Sequence, residues 1–206
     1  MPLVNLSYFA RITNEMKEII LASASPRRKE LLEIIGLKFK VEVSNHSEEI
    51  ASVREPHELA RSLSRGKALA VARNHKNALI IAADTIIVFR GSIMGKPRSE
   101  IEAREMLKRL SGTSHSVITG FTIVDTDDDK TVSKSVATTV YMKNLTPAEI
   151  DAYITSREPL DKAGAYAIQG LGSVIIEKIE GDYFNVMGLP LCALTESLKE
   201  FGISVL

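Results

Sequence analysis

The feature that most constrains this chain is an unbroken apolar run, Ala78-Leu79-Ile80-Ile81-Ala82-Ala83, which stops at Asp84-Thr85. It has the length of a strand and falls far short of the roughly 20 residues that a membrane-spanning helix needs. An alternating strand can leave one face in water, but this run has no face fit for water. It predicts a strand inside a sheet that is covered on both sides, so the rest of the chain must supply helices.

The flanking sequence supplies them. Residues 17–22 read as a short buried strand, and Ser25-Pro26 follows, with Ser suited to an N-cap and Pro to the first helical position. Leu31, Leu32 and Ile35 give that helix an apolar face, and Gly36 gives it a stop. Phe39, Val41 and Val43 alternate as a strand. Pro56 opens a long helix with Leu59, Leu63, Leu69, Ala70 and Val71 facing inward. Ser99 and Glu102 form a capping box for a helix that ends near Gly112. Residues 115–125 and 131–142 predict a hairpin across the acidic turn 127–129, and Thr146 with Glu149 caps a helix carrying Ile150, Tyr153 and Ile154. A Gly-rich stretch over 161–172 precedes a strand at 173–179, and a helix over about 190–201 closes the chain. The expected class is α/β with a mixed twisted sheet, in one domain over residues 16–206. Residues 1–15 show no periodic pattern and read as a disordered extension or a misassigned start before Met16.

Composition removes several classes of function. The 26 basic residues balance 26 acidic ones, so a protein that grips duplex nucleic acid by its phosphate field is not expected. Arg11, Asn14, Glu15, Lys17 and Glu18 interrupt any signal-peptide core, and no membrane association is expected. Cys192 is the single cysteine, which excludes an internal disulfide and suits a reducing, cytoplasmic setting. His46, His57, His75 and His115 lack zinc-ligand spacing.

Four segments carry more chemistry than scaffolding needs. Ser23-Ala24-Ser25-Pro26-Arg27-Arg28 places hydroxyls and guanidinium groups at a helix start, which suits an anion. The same residues also read as a capped helix with two solvated arginines. Asp84-Thr85 closes the buried run, where α/β sheets gather ligands at strand ends, and a carboxylate there can hold a cation or take a proton from water. An Asx turn between two strand segments reads equally well. Lys96, in Gly95-Lys96-Pro97, can reach a phosphate as a point charge, or can be a solvated turn lysine. Gln169 ends a loop of small residues and offers an amide that can both donate to and accept from a base edge. On their own, Glu48-Glu49 and Lys67 read as surface charge. These residues together point to a phosphate-ester ligand with a metal, and to hydrolysis or transfer.

At these residues the chain resembles the Maf family of nucleoside triphosphate pyrophosphatases. The likeness covers Leu21-Ala-Ser-Ala-Ser-Pro-Arg-Arg, Ala83-Asp-Thr, Gly95-Lys-Pro, Leu110-Ser-Gly with His115, Asp161-Lys-Ala-Gly-Ala-Tyr with Ile168-Gln-Gly, and Gly188-Leu-Pro-Leu, in that order. It implies two lobes around a deep cleft, similar to the inosine triphosphatase architecture. The implied reaction is hydrolysis of a nucleoside triphosphate to the monophosphate and pyrophosphate, with Mg²⁺ or Mn²⁺. By the likeness Asp84 activates water, Glu48 joins it in metal binding and catalysis, and Ser23, Arg28, Lys67 and Lys96 contact the triphosphate. Arg27, Thr85 and Gln169 side with the family's dTTP/UTP branch rather than with its methylated-guanine branch. A homodimer, or a role as a nucleotide-binding regulator of cell division, is the family's other implication. Two departures stand out. Ala167 occupies a position where the family pattern has Gly, so the loop should shift if that position needs a positive φ. The apolar residue before the acidic pair is absent at 45–49, so Glu49 could fill the role of Glu48 after a one-residue slip.

Overall fold

The apolar run forms the first half of a 12-residue strand paired on both edges and covered on both faces. The computed structural model describes residues 17–44, 55–128 and 130–206. These fold in the order β1 (Glu18–Leu21), α1 (Pro26–Ile34), β2 (Lys40–Val41), α2 (Pro56–Ala72), β3 (Ala78–Phe89), β4 (Ser92–Met94), α3 (Glu100–Leu110), β5 (Ser114–Asp125), β6 (Thr131–Met142), α4 (Pro147–Thr155), β7 (Ile176–Glu180), α5 (Tyr183–Met187) and α6 (Leu191–Leu198). The N-terminal extension and Glu48-Glu49 lie outside the described residues.

The sheet order is β2-β1-β3-β5-β6-β7, with β4 also on β3. β1 runs parallel to β2 and β3, and the other pairings are antiparallel, so the sheet is mixed. The side-chain period of two explains why β3 tolerates no polar alternation. Ile81 and Ala83 pack with Leu31 and Leu32 of α1 and Leu194 and Leu198 of α6. Ile80 and Ala82, on the opposite face, pack with Ala68 and Val71 of α2. A third cluster joins Ile87, Phe89 and Met94 to Leu107 of α3 and Ile150 and Tyr153 of α4, and makes the other lobe. Each such Leu or Ile side chain contributes roughly 1.5–3 kcal/mol by leaving water.

One edge of β3 creates the site. β1 pairs with it from Ala78 to Ile81 and β4 from Ile87 to Phe89, while β5 occupies the opposite edge. Between Ile81 and Ile87 no strand of the described residues covers the first edge, and Asp84 and Thr85 sit in that opening. They therefore do not end a strand, as the sequence suggested, but lie in the middle of one. The strand that does end there is β1. The strand-end rule held for the neighbouring strand, and register carried Asp84 to the same place.

Three other expectations shift. Lys40 and Val41 alone form β2, and Val41 and Val43 are exposed, because an edge strand with one neighbour keeps only two register positions. Residues 170–175 form 3-10 turns and the strand starts at Ile176, because Glu158 takes the N–H groups of Leu171 and Gly172 at 3.0 and 2.9 Å. Ser99 caps α3, yet Glu102 accepts from Arg98 N–H rather than closing a reciprocal box. The box at Thr146 and Glu149 is complete, and Lys143 with the Thr146 groups pushes the Glu149 carboxyl down to about 2.

Helix α2 lies close on the sheet. A Cβ on Gly120 would stand 2.2 Å from the Ala60 backbone, so glycine is required for that approach. Buried Ser64 then reaches Thr122 Oγ1 at 2.8 Å. Gly120 is the β5 partner of Asp84, so the same contact seats α2 over the opening.

Candidate active site

The loop after β1 brings Ser23 to the opening. Its Oγ accepts from Ser25 N–H at 3.2 Å and from Arg28 Nη1 at 3.1 Å, so its own hydroxyl proton has no acceptor among the described residues. Ser25 stands at the N-cap position but makes no side-chain cap bond, so the start of α1 faces the cleft uncapped. Arg28 also donates from Nε to Gly188 O at 2.9 Å and from Nη2 to Thr85 Oγ1 at 3.2 Å. Gly188 terminates α5 at φ 114°, a conformation that favours glycine, and this turn aims its carbonyl at Arg28.

Asp84 faces α2 from β3, and its side chain is 12% exposed. Lys67 donates to its Oδ1. Oδ2 has no partner among the described residues. Thr85 points to the other face of the sheet, towards Arg28 and Thr119.

The opposite wall consists of turns. Lys96 follows β4, is exposed and has no hydrogen-bond or ion-pair partner among the described residues. Gly164 N–H donates to Gly95 O at 3.0 Å, which ties the Lys96 turn to the loop that carries Gln169. Tyr153 of α4 accepts from Ala167 N–H at 3.1 Å and donates to Glu158 at 2.8 Å. Burial pushes the Tyr153 phenol up. Burial also opposes ionisation of Glu158, but bonds from Gly172, Tyr153 and Leu171 outweigh it and hold the carboxyl below the ordinary range. From β5, buried His115 meets Tyr166 Oη at 2.6 Å, and burial pushes its imidazole down to about 4. Ala167 is not among the positive-φ residues, so its methyl fits without displacing the loop; Ala165 is, at φ 60°.

Ser23, Arg27, Arg28, Lys67, Asp84, Thr85, Lys96 and Gln169 all line one cleft of about 930 Å³. Glu48 lies outside the described residues. Sequence reasoning gave no role to Glu158 or Thr119, and named Lys162 only as part of the glycine-rich loop. Lys162 lines the cleft and donates to Asp161. Burial raises the Asp161 pKa, but the Lys162 hydrogen bond and the charges of Lys162 and Arg27 outweigh it and hold the carboxyl low. The cleft wall thus carries five cationic side chains (Arg27, Arg28, Lys67, Lys96, Lys162) against two carboxylates (Asp84, Asp161) among the described residues. A chain of zero net charge has concentrated positive potential where a ligand would enter.

Fold and site together define an α/β protein with a cationic cleft and a buried carboxylate at its floor. The family model described as Maf-like protein matches residues 18–201, and the chain belongs to that family. It is 50% identical over 190 residues to a dTTP/UTP pyrophosphatase of Bacillus cereus, covering 92% of this chain and 93% of that one. It is 48% identical over 190 residues to a dTTP/UTP pyrophosphatase of Bacillus anthracis, covering 92% and 98%. Among solved structures it is similar to a HAM1 protein from Coxiella burnetii, with a TM-score of 0.42 and 16% identity over 73% of this chain and 86% of that one. The Staphylococcus aureus Ham1 protein matches with a TM-score of 0.42 and 17% identity over 78% and 80%. No helix among the described residues is long and apolar enough to cross a membrane.

Proposed function

We propose that this chain is a nucleoside triphosphate pyrophosphatase that hydrolyses dTTP and UTP, together with modified pyrimidine nucleotides, to the monophosphate and pyrophosphate. The observation that carries this reading is Asp84, a carboxylate buried mid-strand, held by Lys67 and ringed by cations on both walls of the cleft. Its setting is a cytoplasmic nucleotide pool, and duplex nucleic acid is not a partner.

With Oδ1 held by Lys67, Asp84 Oδ2 orients a water in line with the α-phosphorus. The water oxygen forms the new bond to phosphorus, the bridging α–β anhydride bond breaks, and its electron pair leaves on pyrophosphate. The water proton passes to Asp84 and then to solvent. Arg28, Ser23, Lys67 and Lys96 hold the triphosphate oxygens and offset the charge that grows on the leaving group. Arg27 and Gln169 face the base, the Gln amide matching the carbonyl and N–H groups of uracil or thymine.

The residues fit a hard divalent cation. Asp84 offers one carboxylate oxygen, and Mg²⁺ or Mn²⁺ commonly takes one or two carboxylates and completes its shell with substrate phosphates and water. Asp84 would hold the ion, with Glu48 as second carboxylate, and the ion supplies Lewis-acid neutralisation of the phosphoryl oxygens when bound.

Pyrophosphate release from dTTP, UTP, CTP, GTP, ATP and 7-methyl-GTP, with Mg²⁺ or Mn²⁺, tests the reading. Release from dTTP and UTP should fall by about 10²–10⁴ in Asp84→Asn. Turnover of 7-methyl-GTP alone would overturn the base assignment. Absence of all turnover in folded protein would return the chain to a nucleotide-binding regulator. Sedimentation of the same sample reads the homodimer that the resemblance implies.

A further inference from the structure

Thr85 and Thr119 stand directly opposite each other on β3 and β5, with Oγ1 atoms 2.9 Å apart. The direction of each hydroxyl proton here follows by elimination. Thr119 Oγ1 donates to Asn185 O at 2.8 Å, and a hydroxyl has one proton to give. The Thr85 hydroxyl must therefore donate to Thr119, and Thr85 Oγ1 accepts from Arg28 Nη2 at 3.2 Å. The far end is fixed as well. Asn185 Nδ2 donates to Val117 O and Thr138 Oγ1, both at 3.0 Å, and Asp182 caps α5 through Phe184 and Asn185 N–H. Thr119 and Asn185 have no exposed surface, so neither can touch a ligand.

Packing does not ask for these hydroxyls. Valine has the same shape, and replacing both partners of a buried hydrogen bond by apolar isosteres can be nearly neutral. What valine could not do is fix a guanidinium. We propose that Thr85 and Thr119 are positioning residues for triphosphate binding: their hydroxyls hold the Arg28 guanidinium at the cleft floor, and Thr85 acts on the nucleotide through Arg28 rather than by reading the base. This rests on the pyrophosphatase reading above.

Inorganic tripolyphosphate, which has no base, is the probe. Its affinity is measured by calorimetry with metal chelated, beside dTTP, for wild type, Thr85→Val, Thr119→Val, Thr85→Ser and Arg28→Ala. Each Val variant should weaken both ligands by the same factor, about tenfold, a change of about 1.4 kcal/mol. Thr85→Ser should restore binding, and Thr119→Val should add nothing in the Arg28→Ala background. In turnover assays kcat/KM should fall by about tenfold for dTTP, UTP and GTP alike. Unchanged tripolyphosphate binding overturns the proposal, as does a Val effect that survives Arg28→Ala or a Thr85→Val change in the dTTP-to-GTP ratio. If Thr119→Val fails to fold, Thr85→Val, partly exposed at the cleft, tests the same hydroxyl contact. Wild type that binds tripolyphosphate but turns over no nucleotide sinks the pyrophosphatase reading, while the binding data still judge the hydroxyl chain. Wild type that does not bind tripolyphosphate overturns the proposed positioning role.

Discussion

On one wall of the cleft, Arg28, Lys67 and Asp84 stand on helices and a strand, Ser23 stands on the short loop between β1 and α1, and each is bonded to a neighbour. On the other wall, Lys96 and Gln169 stand on turns, with no side-chain partner among the described residues, and their loop is held from behind by Tyr153, Glu158 and His115. The difference suits what each wall would have to do in the proposed reaction. In-line attack at phosphorus needs groups placed to a fraction of an ångström, which packed elements supply. A wall that meets a base and the far end of a flexible polyphosphate can close on its ligand, and turns pinned by hydrogen bonds allow that.

This contrast predicts an ordered set of effects. Gly120→Ala should be the most damaging, because its Cβ would stand 2.2 Å from the Ala60 backbone under α2. A loss of about 3 kcal/mol or more in denaturant unfolding is expected, since backbone cannot yield as a side chain can. A loss under about 1 kcal/mol would show that the packed wall is adaptable after all.

His115 comes next. Its folded pKa lies below its unfolded value, so its contribution is present above pH 6.5 and shrinks as pH falls towards about 4, as the unfolded chain takes the proton first. Over that window wild type should lose up to about 3 kcal/mol that His115→Gln does not lose. Parallel pH–stability curves for the two proteins would refute this.

Glu158→Gln should cost about 2 kcal/mol, because the neutral amide bonds Leu171 and Gly172 N–H more weakly than the carboxylate. Its kinetic signature should be a raised KM with kcat nearly unchanged. A fall in kcat instead would place this loop in the chemistry and erase the division of labour between the walls. Ala167→Gly is the smallest effect, about 1 kcal/mol from lost methyl burial and added chain freedom. Base preference should not move, since Ala167 already sits in an ordinary conformation.

Much of the cleft was legible because its residues cluster in short segments. Ser23, Arg27 and Arg28 share one strand-to-helix junction, and Lys96 and Gln169 announce themselves by glycine-rich surroundings. Lys67 was legible only through the family likeness: on α2 it reads locally as one more surface lysine, and packing of the helix over β3 gives it Asp84 as partner. Thr119 and Glu158 escaped for the same reason. A Thr in a strand and a Glu before a Pro are ordinary locally, and their partners lie on other elements.

The sequence by itself determined the α/β class, the hairpin, the helix starts at Pro26, Pro56 and Thr146-Pro147, and a doubly covered β3, since these follow from local propensity and from the period of apolar residues. Tertiary structure alone decided that β1 stops beside Ile81 while β3 continues, so that Asp84 lies in an opening rather than at an end. It also decided which cation meets which acceptor. Strand pairing and helix docking join residues far apart in the chain, and no local pattern encodes the register at which they meet.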